Sequence, residues 1–469
     1  MKRIAEWALP LLLFAFLDAS IVYPNDYWWH VETGAVIART HHVPDIELFA
    51  YTREGLRWVN EPWLMQLLMY GVFTLGGLAL GVFVHALFVA GGYALVWRET
   101  SKRVGASSAS FATLVGACVG AANWGVRPQG ASFLFFGACI ALIERDRAKV
   151  KRALWLAVPL FALWANCHGG FVFGLLALEV YIAVSIVERL RAGERDSIRE
   201  LVLVGVASVL ACALTPIGPR GIVEHVGAFL ASRAQGVHND EFVPLSLTTP
   251  DGLIFIYAVV RLALAVRKSR TWPRPNELAQ LALFGALAIA ARRASPWFGL
   301  AVIPILARAL PSSDAPPRFV KPLAAFVVTA CVVTLPWLRP HVPVLSSLAP
   351  LMSRDTPAEG AKWACAHIPE GERLWTGQVH ASYLEGACPR LGVFVDTRVQ
   401  AFPPALWDEY LTVEGARPGW EDVLAKWKVR WLMLEPGQDL VLKAARTSPR
   451  WHQEYADDRA IVFSRVAEY

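Results

Sequence analysis

The sequence predicts a polytopic α-helical membrane protein with about eleven transmembrane helices, followed by a small soluble α/β domain. Of the 469 residues, 55% are hydrophobic and only 18% are charged, a composition too apolar for a chain that folds in water. The apolar residues are grouped into runs that are long enough to cross a bilayer. Beyond residue 350 the charges are spread evenly, which is typical of a soluble domain.

Eleven apolar runs, separated by charged connections, are the candidate spans. They are residues 7–23, 78–97, 106–122, 130–143, 153–166, 171–187, 200–214, 252–266, 277–291, 297–310 and 320–337. The run at 62–76 is predicted to be an amphipathic helix on the outer surface, ended by Gly76 and Gly77. If this run were a further span, the charge pattern of every later connection would be reversed.

The basic residues of the connections predict the orientation in the membrane. Connections on the side of the N-terminus carry 21 Lys and Arg, and those on the opposite side carry 8. The N-terminus is therefore predicted to be cytoplasmic. Residues 1–349 form the predicted transmembrane domain, with 24–77 as its first outer loop and surface helices. An odd number of spans places residues 350–469 outside, as a periplasmic or extracellular α/β domain.

Within this C-terminal domain, helix-like segments at 357–367, 404–414 and 419–427 alternate with short apolar segments that predict strands. The predicted strands are 391–396, 429–434 and 460–465. Cys365 and Cys388 are the domain's two cysteines, and in an oxidising exterior they either form a disulfide or remain free.

The unusual polar residues all fall in the predicted outer connections. Carboxylates occur in the first loop, as Asp26 and Glu61, whereas Arg127, Arg292 and Arg293 lie in later outer connections. Carboxylates and guanidinium groups at headgroup depth suit the transfer of a group from a lipid-linked phosphate. Arginine binds a phosphate as it leaves, and a carboxylate takes the proton of the attacking hydroxyl.

Several motifs resemble those of a bacterial branch of the polytopic GT-C-fold glycosyltransferases, which use polyprenyl-phosphate-linked sugars. They are NDYWWHVETGAVI (25–37), PDIELFAYTREGLRWVNEPWL (44–64), LGG (75–77), RPQ (127–129), WANCHGGFVFG (164–174), TPIGPRG (215–221) and VFVDTR (393–398). The resemblance runs over nearly the whole chain and is most specific in the first loop.

The resemblance implies that an acid of the first outer loop is the catalytic base. Asp26 holds that position, just after the first span, and Glu61 is the expected second acid. Better-known members have a paired Asp-Glu at this place, whereas here Asn25 precedes Asp26 and Tyr27 follows it. This departure leaves both the activity and a requirement for a divalent cation open, and no cofactor is otherwise expected.

The remaining candidates are assigned to the substrates. Arg127, Arg292 and Arg293 are expected to bind the donor phosphate. The expected substrate contacts are Trp28, Trp29, His30, Gln129, Asn166 and His168. Each has a structural alternative: the tryptophans as interface anchors, His30 as a hydrogen-bonded core residue and Arg127 as a cap of its span. Asp396 and Arg398 are expected to form a structural ion pair in the outer domain, with a role in binding the acceptor as the alternative.

Taken together, these features predict an inverting glycosyltransferase of a bacterial inner membrane. It would move a sugar from a polyprenyl phosphate to a glycan, lipid or protein acceptor on the outer face. Membrane lipid is the expected environment, and nucleic acid is not an expected partner despite the net charge of +6. The alternative is a catalytically inactive GT-C-like subunit that binds a lipid-linked glycan or assembles with a partner.

Overall fold

The computed structural model describes residues 2–194, 198–224, 227, 243–311 and 319–466. The α-helices of the described residues are α1 (Lys2–Glu6), α2 (Ala8–Asp18), α3 (Tyr27–Thr40), α4 (Trp63–Val104), α5 (Ala106–Gly120), α6 (Gln129–Arg147), α7 (Ala157–Trp164), α8 (Phe171–Ala192), α9 (Ile198–Ala211), α10 (Pro250–Ser269), α11 (Pro275–Ala290), α12 (Ser295–Ala309), α13 (Val320–Thr334), α14 (Pro343–Leu348), α15 (Ala358–His367), α16 (Gln378–Ala387), α17 (Pro404–Glu414), α18 (Trp420–Lys426) and α19 (Asp439–Thr447). Its strands are β1 (Leu374–Thr376), β2 (Trp431–Leu434), β3 (Trp451–Ala456) and β4 (Ile461–Arg465).

The chain forms two compact units. One, the helical unit, comprises Met1–Ser20 and Gly76–Ala349, and the other, the α/β unit, comprises Ile21–Leu75 and Pro350–Tyr469. The change at 349 to 350 agrees with the predicted start of the C-terminal domain. Residues 21–75 differ from the prediction, because the first outer loop, assigned by sequence to the transmembrane domain, packs with 350–469.

A helix occupies each of the eleven places at which an apolar run predicts a span. Among the described residues, two helices are long and apolar enough to cross a membrane by themselves, Trp63–Val104 and Phe171–Ala192. Others are shorter, such as Ala8–Asp18 and Val320–Thr334. A unit with a helix at every predicted place is therefore observed, whereas its eleven membrane crossings remain a prediction.

Glycines allow the helices of this unit to approach closely. A Cβ atom on Gly116 of α5 would lie 2.2 Å from the carbonyl oxygen of Gly299 on α12, and one on Gly137 of α6 would lie 2.3 Å from that of Gly92 on α4. Even the methyl group of an alanine could not be accommodated at either glycine without movement of the backbone. The core around these crossings is rich in aromatic residues, including Phe133, Phe136 and Trp297.

Buried charged side chains connect the ends of several of these helices. Glu144, at the end of α6, accepts hydrogen bonds from Arg147 and, at 2.5 Å, from Arg103. Glu277, at the start of α11, pairs with Arg308 of α12. Arg147 Nη2 also donates to Asn276 Oδ1 at 2.6 Å, which connects the two groups. In the sequence the three arginines served only as topology signals, whereas in the structure they cross-link the ends of four helices.

The α/β unit contains a four-stranded sheet of order β1-β2-β4-β3. β1 and β2 are parallel, and the remaining neighbours are antiparallel. Predicted segments 429–434 and 460–465 contain β2 and β4. Segment 391–396, also predicted as a strand, makes only single bridges, from Val393 to Ala50 and from Gly392 to Arg373.

Helix α4 is kinked at the position along the chain where the α/β unit ends and the helical unit begins. Gly76 and Gly77 have non-helical backbone angles, and Gly77 has φ 62°. This left-handed conformation favours glycine and breaks the helix where the sequence predicted an end. In the α/β unit, α3 lies against the start of α4, because a Cβ atom on Gly34 would be 2.1 Å from the carbonyl oxygen of Gln66.

A disulfide joins Cys365 to Cys388, with their Cα atoms 5.6 Å apart. It links α15 to the residue that ends α16. Of the two alternatives that the sequence left open for this pair, the structure therefore has the disulfide.

Candidate active site

The helical unit gathers its predicted site residues at one end. Arg127 and Gln129, His168, and Arg292 with Arg293 lie at or just before the first turns of α6, α8 and α12. These first turns pack together, because the ring of Trp297 on α12 lies 5.6 Å from Phe133 of α6 and 5.3 Å from Phe173 of α8. Three helix N-termini, the positive ends of their helix dipoles, therefore share this end with the basic side chains.

His168 and Asn166 are held by hydrogen bonds within this end. Nδ1 of His168 accepts from the backbone N–H of Gly170 at 3.0 Å and lies 2.9 Å from Oγ of Ser132. Asn166 donates to the carbonyl oxygen of Leu214 at 2.9 Å. Because its Nδ1 accepts, the neutral His168 ring carries its proton on Nε2.

Gln129 and Arg127 lie beside a buried histidine that the sequence analysis did not single out. Gln129 is buried, and its side-chain oxygen has no hydrogen-bond partner among the described residues. A Cβ atom on the adjacent Gly130 would lie 2.5 Å from Nδ1 of His85, so the helix and the imidazole ring approach closely. Nε2 of His85 lies 3.1 Å from the carbonyl oxygen of Trp124. A histidine inside the apolar run of 78–97 was the available signal.

Arg292 already has an acidic neighbour. Its Nε atom lies 2.6 Å from Oδ2 of Asp251, in the first turn of α10. Only those N–H groups of Arg292 that do not face Asp251 are therefore left to bind a phosphate. Arg293 is half-buried beside it.

In the α/β unit, the Asp26 carboxylate is bound by a residue of the C-terminal segment. Asp26 is the N-cap residue of α3, but its side chain does not cap that helix. Oγ1 of Thr397 donates instead to Asp26 Oδ1 at 2.5 Å. The fold thus brings together two of the motifs that carry the resemblance, NDYWWH and VFVDTR, which are more than 350 residues apart.

Thr397 stands between two residues of a buried charge cluster. Arg398 Nε donates to both carboxylate oxygens of Asp396, at 3.0 and 3.1 Å, and Arg398 Nη2 donates to Glu47 at 2.6 Å. The predicted ion pair of Asp396 and Arg398 is confirmed, with Glu47 as an additional acid. The guanidinium also lies over the rings of Trp58 and Phe49, 4.9 and 5.4 Å from their centres.

The pKa values of two acids in this cluster are shifted in opposite directions. Burial, reinforced by the neighbouring Asp396, raises the pKa of Glu385 well above its usual value. Burial also opposes ionisation of Glu47, but Arg398 and the N–H groups of Ala50 and Phe49 lower the pKa of that carboxyl. Within this cluster, Arg398 and the backbone N–H groups therefore favour the ionised form of Glu47, whereas burial favours the protonated form of Glu385.

The other first-loop candidates are mainly packed inside the α/β unit. His30 is buried, its Nδ1 lies 3.2 Å from Nε2 of Gln66, and its ring packs against Trp29. Trp29 belongs to the hydrophobic core. His30 thus has the hydrogen-bonded position of its structural alternative, whereas Trp29 packs in a hydrophobic core; a substrate contact by either residue remains a prediction. Trp28 donates to the carbonyl oxygen of Tyr23 at 3.1 Å and is partly exposed.

Glu61 lies two residues before α4 and is half-buried. It belongs to the α/β unit together with Asp26, Trp28, Trp29 and His30. Arg127, Gln129, Asn166, His168, Arg292 and Arg293 belong to the helical unit. The structure therefore brings each set together within its own unit, and the meeting of Asp26 with the arginines remains a prediction.

Nothing in the described ranges forms a cluster of three or more His, Cys, Asp or Glu side chains able to hold a metal ion. Two acids beside Arg398, Asp396 and Glu47, are instead bound by its guanidinium group.

Comparison of the structure with solved structures identifies its class. The chain has the GT-C fold, the architecture of the membrane glycosyltransferases that the sequence resembles. No protein-family model matches the sequence, and no curated protein matches it either.

Among similar structures is ArnT from Cupriavidus metallidurans bound to undecaprenyl phosphate, with a TM-score of 0.56 at 15% identity, covering 99% of this chain and 97% of that one. The apo oligosaccharyltransferase of Archaeoglobus fulgidus has a TM-score of 0.58 at 12% identity, covering 92% and 69%. The AglB oligosaccharyltransferase of the same organism, in complex with an inhibitory peptide and a dolichol-phosphate, has a TM-score of 0.56 at 12% identity, covering 98% and 74%. The shared fold indicates a membrane location for this chain.

Proposed function

We propose that this protein is an inverting glycosyltransferase that moves a sugar from a polyprenyl phosphate to an acceptor hydroxyl or amide on the outer face of a bacterial inner membrane. The observation that carries the proposal is the Asp26 carboxylate, which is turned away from the helix that it begins and held by Thr397. A carboxylate at a helix N-terminus ordinarily caps that helix. The Asp26 carboxylate is bound by Thr397 instead, so we assign it a role other than capping.

The ligands of similar structures support the class of donor. The ArnT structure contains undecaprenyl phosphate, and the AglB structure contains a dolichol-phosphate. In this chain, the end of the helical unit that carries Arg127, Arg292 and Arg293 is the proposed phosphate site. Three helix N-termini reinforce the positive potential at that end.

The chemical step is a single displacement at the anomeric carbon. The acceptor oxygen or nitrogen forms a bond to this carbon on the face opposite the phosphate, and the bond from carbon to the phosphate oxygen breaks. The electron pair of that bond leaves with the polyprenyl phosphate, which the arginines stabilise. The acceptor's proton passes to the Asp26 carboxylate.

Replacement of Asp26 by Asn tests this function. The full-length protein, purified in lipid nanodiscs, is given a panel of undecaprenyl-phosphate monosaccharides with a bacterial membrane extract as acceptor. D26N is expected to lose turnover, by about a hundredfold or more, and to retain undecaprenyl phosphate in native mass spectrometry. The matched control is Asp408→Asn, an exposed acid of the same unit.

Arg127→Ala is expected to weaken the binding of undecaprenyl phosphate, whereas Arg152→Ala, an exposed arginine at the other end of the helical unit, leaves it unchanged. Full turnover by D26N would overturn the assignment of the base. If D26N, D408N and the wild type all bind undecaprenyl phosphate and none turns over a donor, the inactive binding subunit is favoured instead.

A further inference from the structure

The C-terminal segment contributes a side chain directly to the proposed catalytic base. The hydroxyl of Thr397 lies 2.5 Å from Oδ1 of Asp26, and both residues belong to the α/β unit. A carboxylate can only accept hydrogen bonds, so the single hydroxyl proton of Thr397 is donated to Asp26. A hydrogen bond to a charged acceptor is short and strong.

A second hydroxyl fixes the direction of this hydrogen bond. Oγ of Ser382, on α16, lies 2.8 Å from Oγ1 of Thr397 and also accepts from the Thr397 backbone N–H at 3.2 Å. Since the proton of Thr397 is used by Asp26, Ser382 is the donor of the 2.8 Å hydrogen bond between the two hydroxyls; the other acceptor of Ser382, the carbonyl oxygen of Gln378, is farther away, at 3.4 Å. The donors thus form a chain from Ser382 through Thr397 to Asp26, in which each member polarises the next.

The backbone of Thr397 is fixed on both sides. Asp396 and Arg398 are buried and bound to each other, and the N–H of Arg398 donates to Oδ1 of Asp396 at 2.7 Å. Glu47 connects the guanidinium of Arg398 to the first loop, because its carboxylate accepts from the N–H groups of Phe49 and Ala50. The Thr397 hydroxyl therefore has little freedom to leave Asp26.

We propose that Thr397 is a positioning residue for Asp26: it holds Oδ1 so that Oδ2 faces the acceptor and takes its proton. The inference rests on the proposed function, because it assigns a partner to the base of that reaction. It adds a role for the C-terminal segment, which completes the catalytic apparatus in addition to any part in acceptor recognition.

The test compares Thr397→Val, which removes the hydroxyl at nearly constant volume, with Thr397→Ser, which keeps it. The assay uses the full-length protein and the undecaprenyl-phosphate monosaccharide that the wild type turns over. T397V is expected to lower kcat by about 10- to 100-fold, with KM within about twofold of the wild type, whereas T397S restores most of kcat. The control is Thr376→Val, a buried threonine whose hydroxyl has no hydrogen-bond partner among the described residues.

The outcomes separate this inference from the function on which it rests. If D26N is inactive while T397V keeps the kcat of the wild type, Thr397 has no positioning role, and the base assignment stands. If D26N retains turnover, or the wild type turns over no member of the panel, the proposed function fails and this inference fails with it. Should T397V not fold, Ser382→Ala takes its place, with a smaller loss of kcat at unchanged KM expected and an unchanged kcat contradicting the proposal.

Discussion

Arg398 is the residue on which the buried charges of the α/β unit depend. It is 3% exposed, and its guanidinium is bound by the carboxylates of Asp396 and Glu47. Its removal would leave the carboxyl groups of Asp396 and Glu47 in the core without the guanidinium that both of them bind. Unpaired buried charges are far more costly than the original pair is favourable.

Arg398→Met should therefore destabilise the α/β unit strongly. We expect the free energy of unfolding to fall by about 3 to 5 kcal/mol, because methionine keeps the volume but not the charge. Denaturant unfolding of the full chain, followed by hydrogen exchange of peptides from the sheet, measures the change. Arg446→Met, at an exposed position of α19, is the control and should change stability by less than about 0.5 kcal/mol. An equal effect of both variants would contradict the importance of the cluster.

A second titratable residue of this unit gives a pH dependence. Burial lowers the pKa of His380 to about 4 in the folded chain, although the carbonyl oxygen of Asp355 partly opposes the shift. Between about pH 4 and 6.5 the unfolded chain therefore binds a proton that the folded chain does not. The stability contributed by the neutral ring is present above pH 6.5 and is lost as the pH falls towards 4.

His380→Gln should flatten this pH dependence. The wild type is expected to gain up to about 3 kcal/mol from this residue between pH 4 and 6.5, and the variant should lack that gain. Denaturant midpoints at several pH values measure it. His452→Gln, on the exposed side of β3, is the matched control and should keep the slope of the wild type. A slope in H380Q equal to that of the wild type would show that other groups govern it.

The helices were more predictable than the strands, for a physical reason. A helix closes its hydrogen bonds within one segment, so the apolar runs at 106–122 and 277–291 correspond to α5 and α11 within a few residues. A strand needs a partner from elsewhere in the chain. Segment 391–396 has the residue pattern of a strand, but Val393 pairs with Phe49 and Tyr51 of the first loop only over a single bridge.

The helix crossings of the helical unit can be tested at α5 and α12. Gly116→Ala would place a methyl group 2.2 Å from the carbonyl oxygen of Gly299, which belongs to backbone and cannot rotate away. We expect a loss of about 1 to 3 kcal/mol, seen as a lower thermal unfolding midpoint in detergent. Gly285→Ala in α11 is the control, because its nearest neighbour, Phe298, is 3.8 Å away. Equal midpoints for the two variants would argue against close packing at this crossing.

The candidate site was only partly predictable. Asp26 was identified from its place after the first span, and Arg127 and Arg292 from positive charge on a side where it is rare. Thr397 was not identified, because nothing in the local sequence connects it to Asp26. The division of the chain was also missed in part: residues 21–75 are continuous with a span in sequence, yet their core contacts are with 350–469.

The predicted orientation places the α/β unit outside the cell membrane and the loop after α6 inside. Lys443→Cys, in α19, should react with a membrane-impermeant maleimide in intact cells, after subtraction of the reaction of the wild type. Lys149→Cys, equally exposed in the helical unit, should react only after permeabilisation. Labelling of both cysteines from the same side would overturn the topology and, with it, the assignment of the reaction to the outer face.

The account depends above all on the meeting of the Asp26 carboxylate with the arginines of the helical unit around one phosphate. Electron cryo-microscopy of the full chain in nanodiscs with added undecaprenyl phosphate tests this directly. We predict that the phosphate contacts at least one of Arg127, Arg292 and Arg293, with the Asp26 carboxylate facing it across a gap that one sugar ring fills. A bound phosphate that contacts none of the three arginines, or an Asp26 side chain directed away from it, would contradict the account.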